Sequence, residues 1–558
     1  MVYNKNVKYN EVVKINSIKE MMELAVKDVP NKIAFKYKEN NEVVEVTYSQ
    51  FQNETIYLGT ALMDIDMRNT HIAVIGENSY KWLTVYLSVL KSDSVIVPVD
   101  KELPETDIIN VLDNSDSECL FYSKKFEKYI NNFKEKLPKI KYYIAFDNEE
   151  DNDNVLSYNK LMTKGKESFD NGNKEYTKLN NDTSKLKMLV YTSGTTGMAK
   201  GVMLSEHNLV SEIYYGLQVA TIHDTGLSVL PYHHTYEAVV GILVGLHYHA
   251  TICINDNLKA VLKNLQLYKP DYIYLVPAFV EIFYKRIWST AKEGNKDTAL
   301  KILISVSNFL RKFGIDLRKK LFKSVHSAFG GNLKKMVVGG APLRPELGKF
   351  FDSIGISLTN GYGITECSPL VSVNTDEFND PSTVGVQVPC CEIKLENITD
   401  DGEGEICVKG DNVMMGYYKN EEKTNEVLKD GWFYTGDYGK INDKGQLIIT
   451  GRKKNLIVLK NGKNVFPEEI ENYIMGIQYV QEVVVKGIKD EEQIEVGLCA
   501  EVFLNEDKLK ELGITDKEKE IRKDITRVTE SLPTYKKITK IEIRDVEFPK
   551  TTTNKIKR

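Results

Sequence analysis

The chain has 558 residues, too many for one hydrophobic core, and ~150 residues per domain predicts three or four units. Its 42% hydrophobic and 27% charged residues are ordinary for a globular protein, and a net charge of -5 gives no basic excess to suggest nucleic acid as a main partner. Seven cysteines without a C-x-x-C pair, and an N-terminus without a signal-type apolar core, predict reduced thiols and a cytoplasmic protein.

Residues 17–90 alternate helical and extended patterns. Thr47-Tyr-Ser-Gln-Phe-Gln-Asn53 opens a helix, His71–Ile75 is an apolar strand ended by Gly76, and 79–90 has apolar residues at helical spacing. Strands at 94–99 and 119–122 flank a helix at 104–112, and this alternation predicts parallel βαβ units. Residues 147–186, poor in apolar side chains and rich in Asn, Asp, Lys and Gly, predict a surface excursion. Alternation resumes with strands at 227–230, 250–254, 272–276, Lys335–Val338 and 357–360 and helices at 279–287 and Pro345–Ser353; 290–330 reads as charged and helical. This is a second doubly wound unit. From about 384, short strands separated by Asp401-Gly402 and Lys444-Gly445 predict a small antiparallel barrel or sheet. Beyond Gly451, strands mix with helices at 467–475 and 516–531, with Thr515 placed to cap the latter. The apolar stretch 238–246 is roughly half a membrane span and reads as a buried helix; peripheral membrane contact stays open.

The chemistry-bearing stretch is Tyr191-Thr-Ser-Gly-Thr-Thr-Gly-Met-Ala-Lys-Gly201. It follows the apolar run 187–190 and precedes a helix that Ser205 or Asn208 can cap. Gly194 and Gly197 let the backbone approach an anion, Thr192, Ser193, Thr195 and Thr196 add hydroxyl donors, and Lys200 adds charge. It is not a P-loop, since no hydroxyl follows the lysine. Gly339-Gly-Ala-Pro-Leu343 ends a parallel strand, where open α/β sheets place ligands, although a plain βα turn has the same composition. In Asn360-Gly-Tyr-Gly-Ile-Thr-Glu366, two glycines leave the Tyr362 ring free to lie against a planar base. There Thr365 offers a hydroxyl to phosphate, and Glu366 is a hard oxygen ligand of the kind magnesium takes. Gly431-Trp-Phe-Tyr-Thr-Gly-Asp437 puts a carboxylate in a tight glycine turn, able to accept from both ribose hydroxyls. Arg452 has a planar fork for ribose or phosphate oxygens, but Arg452-Lys-Lys454 could equally be a solvated basic turn.

In order, these stretches, with Asn461-Gly-Lys-Asn-Val-Phe-Pro-Glu-Glu-Ile-Glu471 and Pro549-Lys-Thr-Thr-Thr-Asn-Lys-Ile-Lys-Arg558, resemble the adenylate-forming superfamily of acyl-CoA synthetases, luciferases and peptide-synthetase adenylation domains. The resemblance runs from about residue 20 to 558, and 451–467 is most like bacterial long-chain fatty acyl-CoA synthetases. It implies a large N-terminal domain, 1–451, of two doubly wound α/β subdomains plus a small β-barrel. A small mobile α+β domain, 452–558, would hinge near Lys454. It also implies an ATP/AMP site from Thr192, Ser193, Gly194, Thr195, Thr196, Gly197, Lys200, Gly340, Ala341, Asn360, Gly361, Tyr362, Gly363, Asp437 and Arg452. Within that site Tyr362 stacks on adenine, Thr365 touches the α-phosphate, Glu366 holds Mg2+, Asp437 takes the ribose, and Lys555 reaches in during adenylation. The tail departs from the family pattern at Asn554, where glycine is usual; Asn tolerates the left-handed conformation better than most residues.

The reaction so implied joins a carboxylic acid to AMP, releasing pyrophosphate, before a thiol displaces AMP. ATP, Mg2+, coenzyme A and a medium- or long-chain fatty acid are the expected partners, the protein being a monomer or homodimer. Pro231-Tyr-His-His-Thr-Tyr-Glu237 looks like an acyl-pocket segment, with His234 near the substrate carboxylate and Val239, Val240, Gly241, Ile242 and Gly340 around the chain. A helix facing the core gives the same pattern. Acyl carrier protein as acceptor, or an aryl acid as substrate, is the alternative. Intact Glu366, Asp437, Arg452 and Lys555 argue against a non-enzymatic relative, and no carrier domain is expected downstream.

Overall fold

Short apolar runs alternating with capped helices build two mixed sheets, whose central strands are parallel as the alternation predicts. The computed structural model describes residues 3–152, 155–192, 199–460, 463–490, 493–550 and 556. The chain divides into one unit of Met1–Glu392 with Val408–Phe433 and another of Ile393–Cys407 with Tyr434–Arg558.

In the first unit, an eight-stranded sheet has the order Gly416–Tyr417, Lys200–Ser205, Leu186–Thr192, Val95–Pro98, His71–Ile75, Ser117–Tyr122, Tyr142–Ala145, Val155–Ser157. The strands from Leu186–Thr192 onward are parallel; the two before it are antiparallel additions. A nine-stranded sheet has at its centre Ser357–Gly363, Lys335–Val338, Tyr272–Leu275, Thr225–Ser228, Thr251–Ile254 and Ile33–Glu39, all parallel. The Glu42–Thr47 hairpin partner and the Leu370–Val373 and Val386–Gln387 strands flank it. Helix starts follow the cap residues: Thr47 accepts from Gln50 N–H, Ser79 from Trp82 N–H, and Ser205 and Asn208 form a reciprocal capping box.

Three local expectations are corrected. The 191–201 stretch is not one loop: Tyr191 and Thr192 end a strand, Lys200 and Gly201 begin its antiparallel partner, and Ser205 caps a helix only after that hairpin. Residues 147–186 are not a surface excursion. Val155–Ser157 extends the eight-stranded sheet, and the helix Tyr158–Asp170 packs on Tyr48–Asp64 so closely that a Cβ at Gly165 would lie 2.0 Å from the Tyr57 carbonyl oxygen. Glycines and two buried tyrosines, Tyr158 and Tyr176, do the packing there, which an apolar count underestimates. Asp516, not Thr515, caps the helix Lys517–Val528, accepting from Lys519 N–H.

The second unit is α+β. Val480–Lys489 and Glu495–Leu504 are antiparallel, Lys540–Arg544 adds in parallel, and Pro467–Ile474 and Lys517–Val528 help cover an Ile/Val/Leu core. The strands Trp432–Ile441 and Leu447–Arg452 pair as a hairpin, and the division between units falls inside Gly404–Gly410 and Trp432–Ile441. All seven cysteines are buried free thiols. Among the described residues, no helix is long and apolar enough to cross a membrane.

Candidate active site

The hairpin places the two ends of the glycine-rich stretch opposite each other, Thr192 beside Lys200. Ser193, Gly194, Thr195, Thr196 and Gly197 lie outside the described residues. Gly416–Tyr417 extends this hairpin, Tyr417 pairing with Val202, and Tyr418 N–H donates to the Gly201 carbonyl at 2.7 Å. Lys200 Nζ sits 5.0 Å from the Tyr417 ring centre. The Tyr417 hydroxyl donates to Glu366 Oε1 at 2.8 Å, and Met414 N–H donates to the Glu366 carbonyl at 2.8 Å. Glu366 follows a strand of the nine-stranded sheet, so Tyr417 ties the glycine-rich hairpin of one sheet to the acidic residue of the other. Burial first, then the Glu366 charge, pushes the Tyr417 phenol far up, which keeps it a donor. No local signal links Tyr417 to Glu366, 51 residues away in sequence.

The carboxyl ends of Tyr272–Leu275, Lys335–Val338 and Ser357–Gly363 run in register, Leu275 beside Val338 and Val338 beside Asn360. Gly340 holds φ +82°, the left-handed region that favours glycine, and a Cβ there would be 3.7 Å from Val276 Cγ1. Ala341 is exposed. A Cβ at Gly339 would sit 3.4 Å from the Tyr236 ring and 3.6 Å from the Gly361 carbonyl, so the two glycine motifs and the segment after His234 converge. Gly361 and Gly363 also let the neighbouring chain approach: Cβ atoms there would meet Ser372 O, on the next strand, at 3.0 Å and Pro369 O, just before it, at 2.5 Å. Tyr362 lies in that strand opposite Ser372, and Thr365 in the one-turn helix Thr365–Cys367. The Asn360 amide is buried, donating to the Thr383 carbonyl at 2.7 Å and accepting from Asn374 Nδ2 at 2.6 Å.

His234 is half-buried, its ring 4.3 Å from that of His233, whose Nε2 lies 3.5 Å from Asp100 Oδ1. Burial, with His234 and Lys101 nearby, holds His233 well below the usual histidine range. Val239, Val240, Gly241 and Ile242 sit in a buried π-helical turn, Tyr236–Leu243. Ser228 Oγ donates to Glu237 Oε1 at 2.5 Å, and the Glu237 carboxylate fills the space over Gly241, where a Cβ would lie 2.9–3.0 Å from it. Burial raises Glu237 to about 8, so it is mostly protonated at neutral pH.

In the second unit Asp437 and Arg452 face each other across the hairpin, with Arg452 Nε 2.7 Å from Asp437 Oδ1. Asp437 is not in a turn: it lies inside a ten-residue strand, after Gly436 at φ +70°, and its N–H donates to Thr435 Oγ1 at 3.0 Å. Lys453 is more than a solvated lysine, since its Nζ is 2.5 Å from Oε2 of the buried Glu405. Lys454 is exposed in the short helix Lys453–Asn455. Lys555 lies outside the described residues.

Among the described residues no three His, Cys, Asp or Glu cluster as a metal cage. Magnesium held by one carboxylate and by substrate phosphates needs no such cage, and the hard Glu366 carboxylate, oriented by Tyr417, fits that need.

An α/β nucleotide-binding enzyme is the class this fold and site define. The family comparisons place it further. The AMP-binding enzyme family matches residues 22–418, and the AMP-binding enzyme C-terminal domain matches 469–555. The chain belongs to the AMP-binding enzymes, the adenylate-forming superfamily that includes AMP-forming acyl-CoA ligases. It is 30% identical over 507 residues to long-chain-fatty-acid–CoA ligase 5 of Rattus norvegicus, covering 83% of this chain and 72% of that protein. It is 27% identical over 482 residues to long-chain-fatty-acid–CoA ligase FadD15 of Mycobacterium bovis, covering 83% and 78%. In fold it is similar to the anthranilate CoA ligase AuaEII in complex with anthranoyl-AMP, with TM-score 0.76, 19% identity and 99% and 96% coverage. A Mycobacterium tuberculosis fatty acyl CoA synthetase gives TM-score 0.66 at 20% identity, with 97% and 96% coverage.

Proposed function

We propose that the chain is a cytoplasmic AMP-forming fatty acid–CoA ligase. The observation that carries this is the Lys200–Tyr417–Glu366 arrangement, which puts an acidic ligand and a cation beside the ends of the phosphate stretch. The long-chain ligases it resembles support a fatty acid as substrate. In the first step an acid oxygen attacks the α-phosphorus of ATP and pyrophosphate leaves. In the second a coenzyme A sulfur attacks the acyl carbonyl and AMP leaves. Thr192, Ser193, Thr195, Thr196 and Lys200 cradle the phosphates, Thr365 donates to the α-phosphate, and Lys555 adds charge where it develops. Glu366 would hold a magnesium ion, whose chemistry is to screen phosphate charge.

Asp437 and Arg452 are assigned to the ribose. Gly340, Ala341, Asn360, Gly361, Tyr362 and Gly363 are assigned to adenine, with the Asn360 part made by its backbone because its amide is engaged elsewhere. His234 orients the acid and Val239, Val240 and Gly241 border the acyl chain. Residues 1–451 and 452–558 are the working division, with Lys454 as its hinge.

An aryl acid is the second reading. It is favoured by the buried Tyr232, Tyr272 and Tyr274, the half-buried Tyr236 and the protonated Glu237 around the π-helical turn, more polar surroundings than an alkyl chain needs. Pyrophosphate release measured across straight-chain acids and benzoates, with coenzyme A as thiol, separates them. A response to benzoates and none to straight-chain acids would remove the fatty acid reading.

A further inference from the structure

The helix Asp297–Arg311 is apolar on two sides. Its inner side, Leu300, Leu303 and Ile304, packs on the core beneath the nine-stranded sheet. Its outer side carries Ile302, Val306 and Phe309, and Phe313 follows in the turn after it, at positions i, i+4, i+7 and i+11, with exposures of 58%, 43%, 58% and 67%. One apolar stripe facing the core is what a surface helix needs; a second facing out needs a partner. The Phe309 and Phe313 rings meet edge to face at 5.1 Å, and Ile315 and Leu317 continue the exposed patch.

Charge identifies the partner. Residues 277–323 hold eleven Lys and Arg against four Asp and Glu, in a chain whose net charge is -5. Lys301, Lys312, Lys319, Lys320 and Lys323 are exposed around the apolar stripe. Arg318 pairs with Asp316, and Arg311 and Arg318 both pair with Asp352 from outside this range, so the exposed lysines carry the charge around the stripe. Two copies of so basic a face would repel each other. A surface that accepts aromatic side chains and neutralises flanking lysines is an anionic bilayer.

We propose that Asp297–Arg311 and the turn after it dock on the surface of an anionic lipid bilayer, lying in the interface without crossing it. The location suits the chemistry. The preceding helix, Pro277–Glu293, starts where the strand Tyr272–Leu275 ends, next to Gly340, so one helix separates the lipid-facing patch from the carboxyl edge of the sheet. Docking does not depend on which acid the enzyme activates.

Co-sedimentation of the full chain with vesicles of phosphatidylcholine alone, and of phosphatidylcholine with phosphatidylglycerol, tests this. The chain should bind the anionic vesicles at least about tenfold more tightly, and added salt should weaken binding. Phe309→Ser/Phe313→Ser and Lys312→Glu/Lys319→Glu/Lys320→Glu should each cut binding about tenfold or more, with melting temperature and pyrophosphate release on a short soluble acid unchanged. No binding to anionic vesicles at low ionic strength would overturn the proposal, as would variants that bind like the parent. So would a dimer that the phenylalanine variant dissolves, which would assign the face to a second copy.

Discussion

Tyr417→Phe removes one oxygen and with it the 2.8 Å hydrogen bond to Glu366 Oε1. The bond is to an ionised carboxylate, worth ~1.5–3 kcal/mol, and residues that orient a metal ligand typically change metal affinity or activity by ~10–100-fold. The ring stays, and with it the packing under Lys200 Nζ, so the stability loss should not exceed the ~1.5–3 kcal/mol of that bond and the variant should remain folded. In ATP–pyrophosphate exchange titrated with magnesium, half-saturating magnesium should rise about 10–100-fold while exchange at saturating magnesium largely recovers. An unchanged magnesium dependence in a folded variant would refute the idea that Tyr417 orients Glu366. A loss that no magnesium restores would show instead that the hydroxyl acts on the nucleotide.

Three further outcomes are expected. Lys453→Met leaves Glu405 buried without its partner, and should lower stability by ~1–3 kcal/mol in chemical denaturation; an unchanged midpoint would show the pair contributes little. Gly165→Ala forces a Cβ to 2.0 Å from a backbone oxygen, and should cost ~1–3 kcal/mol; a neutral effect would mean the two helices separate freely. Glu237 holds its proton up to about 8 when folded and to 4.5 when unfolded, so its stabilisation is complete below 4.5 and is lost as pH rises to about 8. At ~1.4 kcal/mol per pH unit this is on the order of 5 kcal/mol, so Glu237→Gln should gain stability relative to the parent between pH ~5 and ~8; parallel urea midpoints across that range would contradict it.

Much of this was legible from residues. Strands such as Lys335–Val338 and His71–Ile75 announced themselves as apolar runs, Thr47 and Ser79 as the openings of helices, and Ser205 as a cap, because those signals are local. The stretches now placed at Glu366, Gly340 and Asp437 were found by their glycines and carboxylates. What was illegible depends on distant partners. Tyr417 reaches Glu366, Lys453 reaches Glu405, and Gly361 and Gly363 accommodate the neighbouring strand. Helix 158–170 is held by close backbone approach at Gly165, which composition scores as polar loop. Phe309 and Phe313 look like core positions by periodicity until the fold shows which side of the helix is covered.

The central claim is that this chain joins a carboxylic acid to AMP. Its most direct measurement is acid-dependent exchange of labelled pyrophosphate into ATP, with magnesium and no thiol, by the parent chain and by Glu366→Gln. Exchange that requires a fatty acid and falls by about two orders of magnitude or more in the variant is the predicted result. Exchange absent with every organic acid tried, or undiminished in Glu366→Gln, would contradict it.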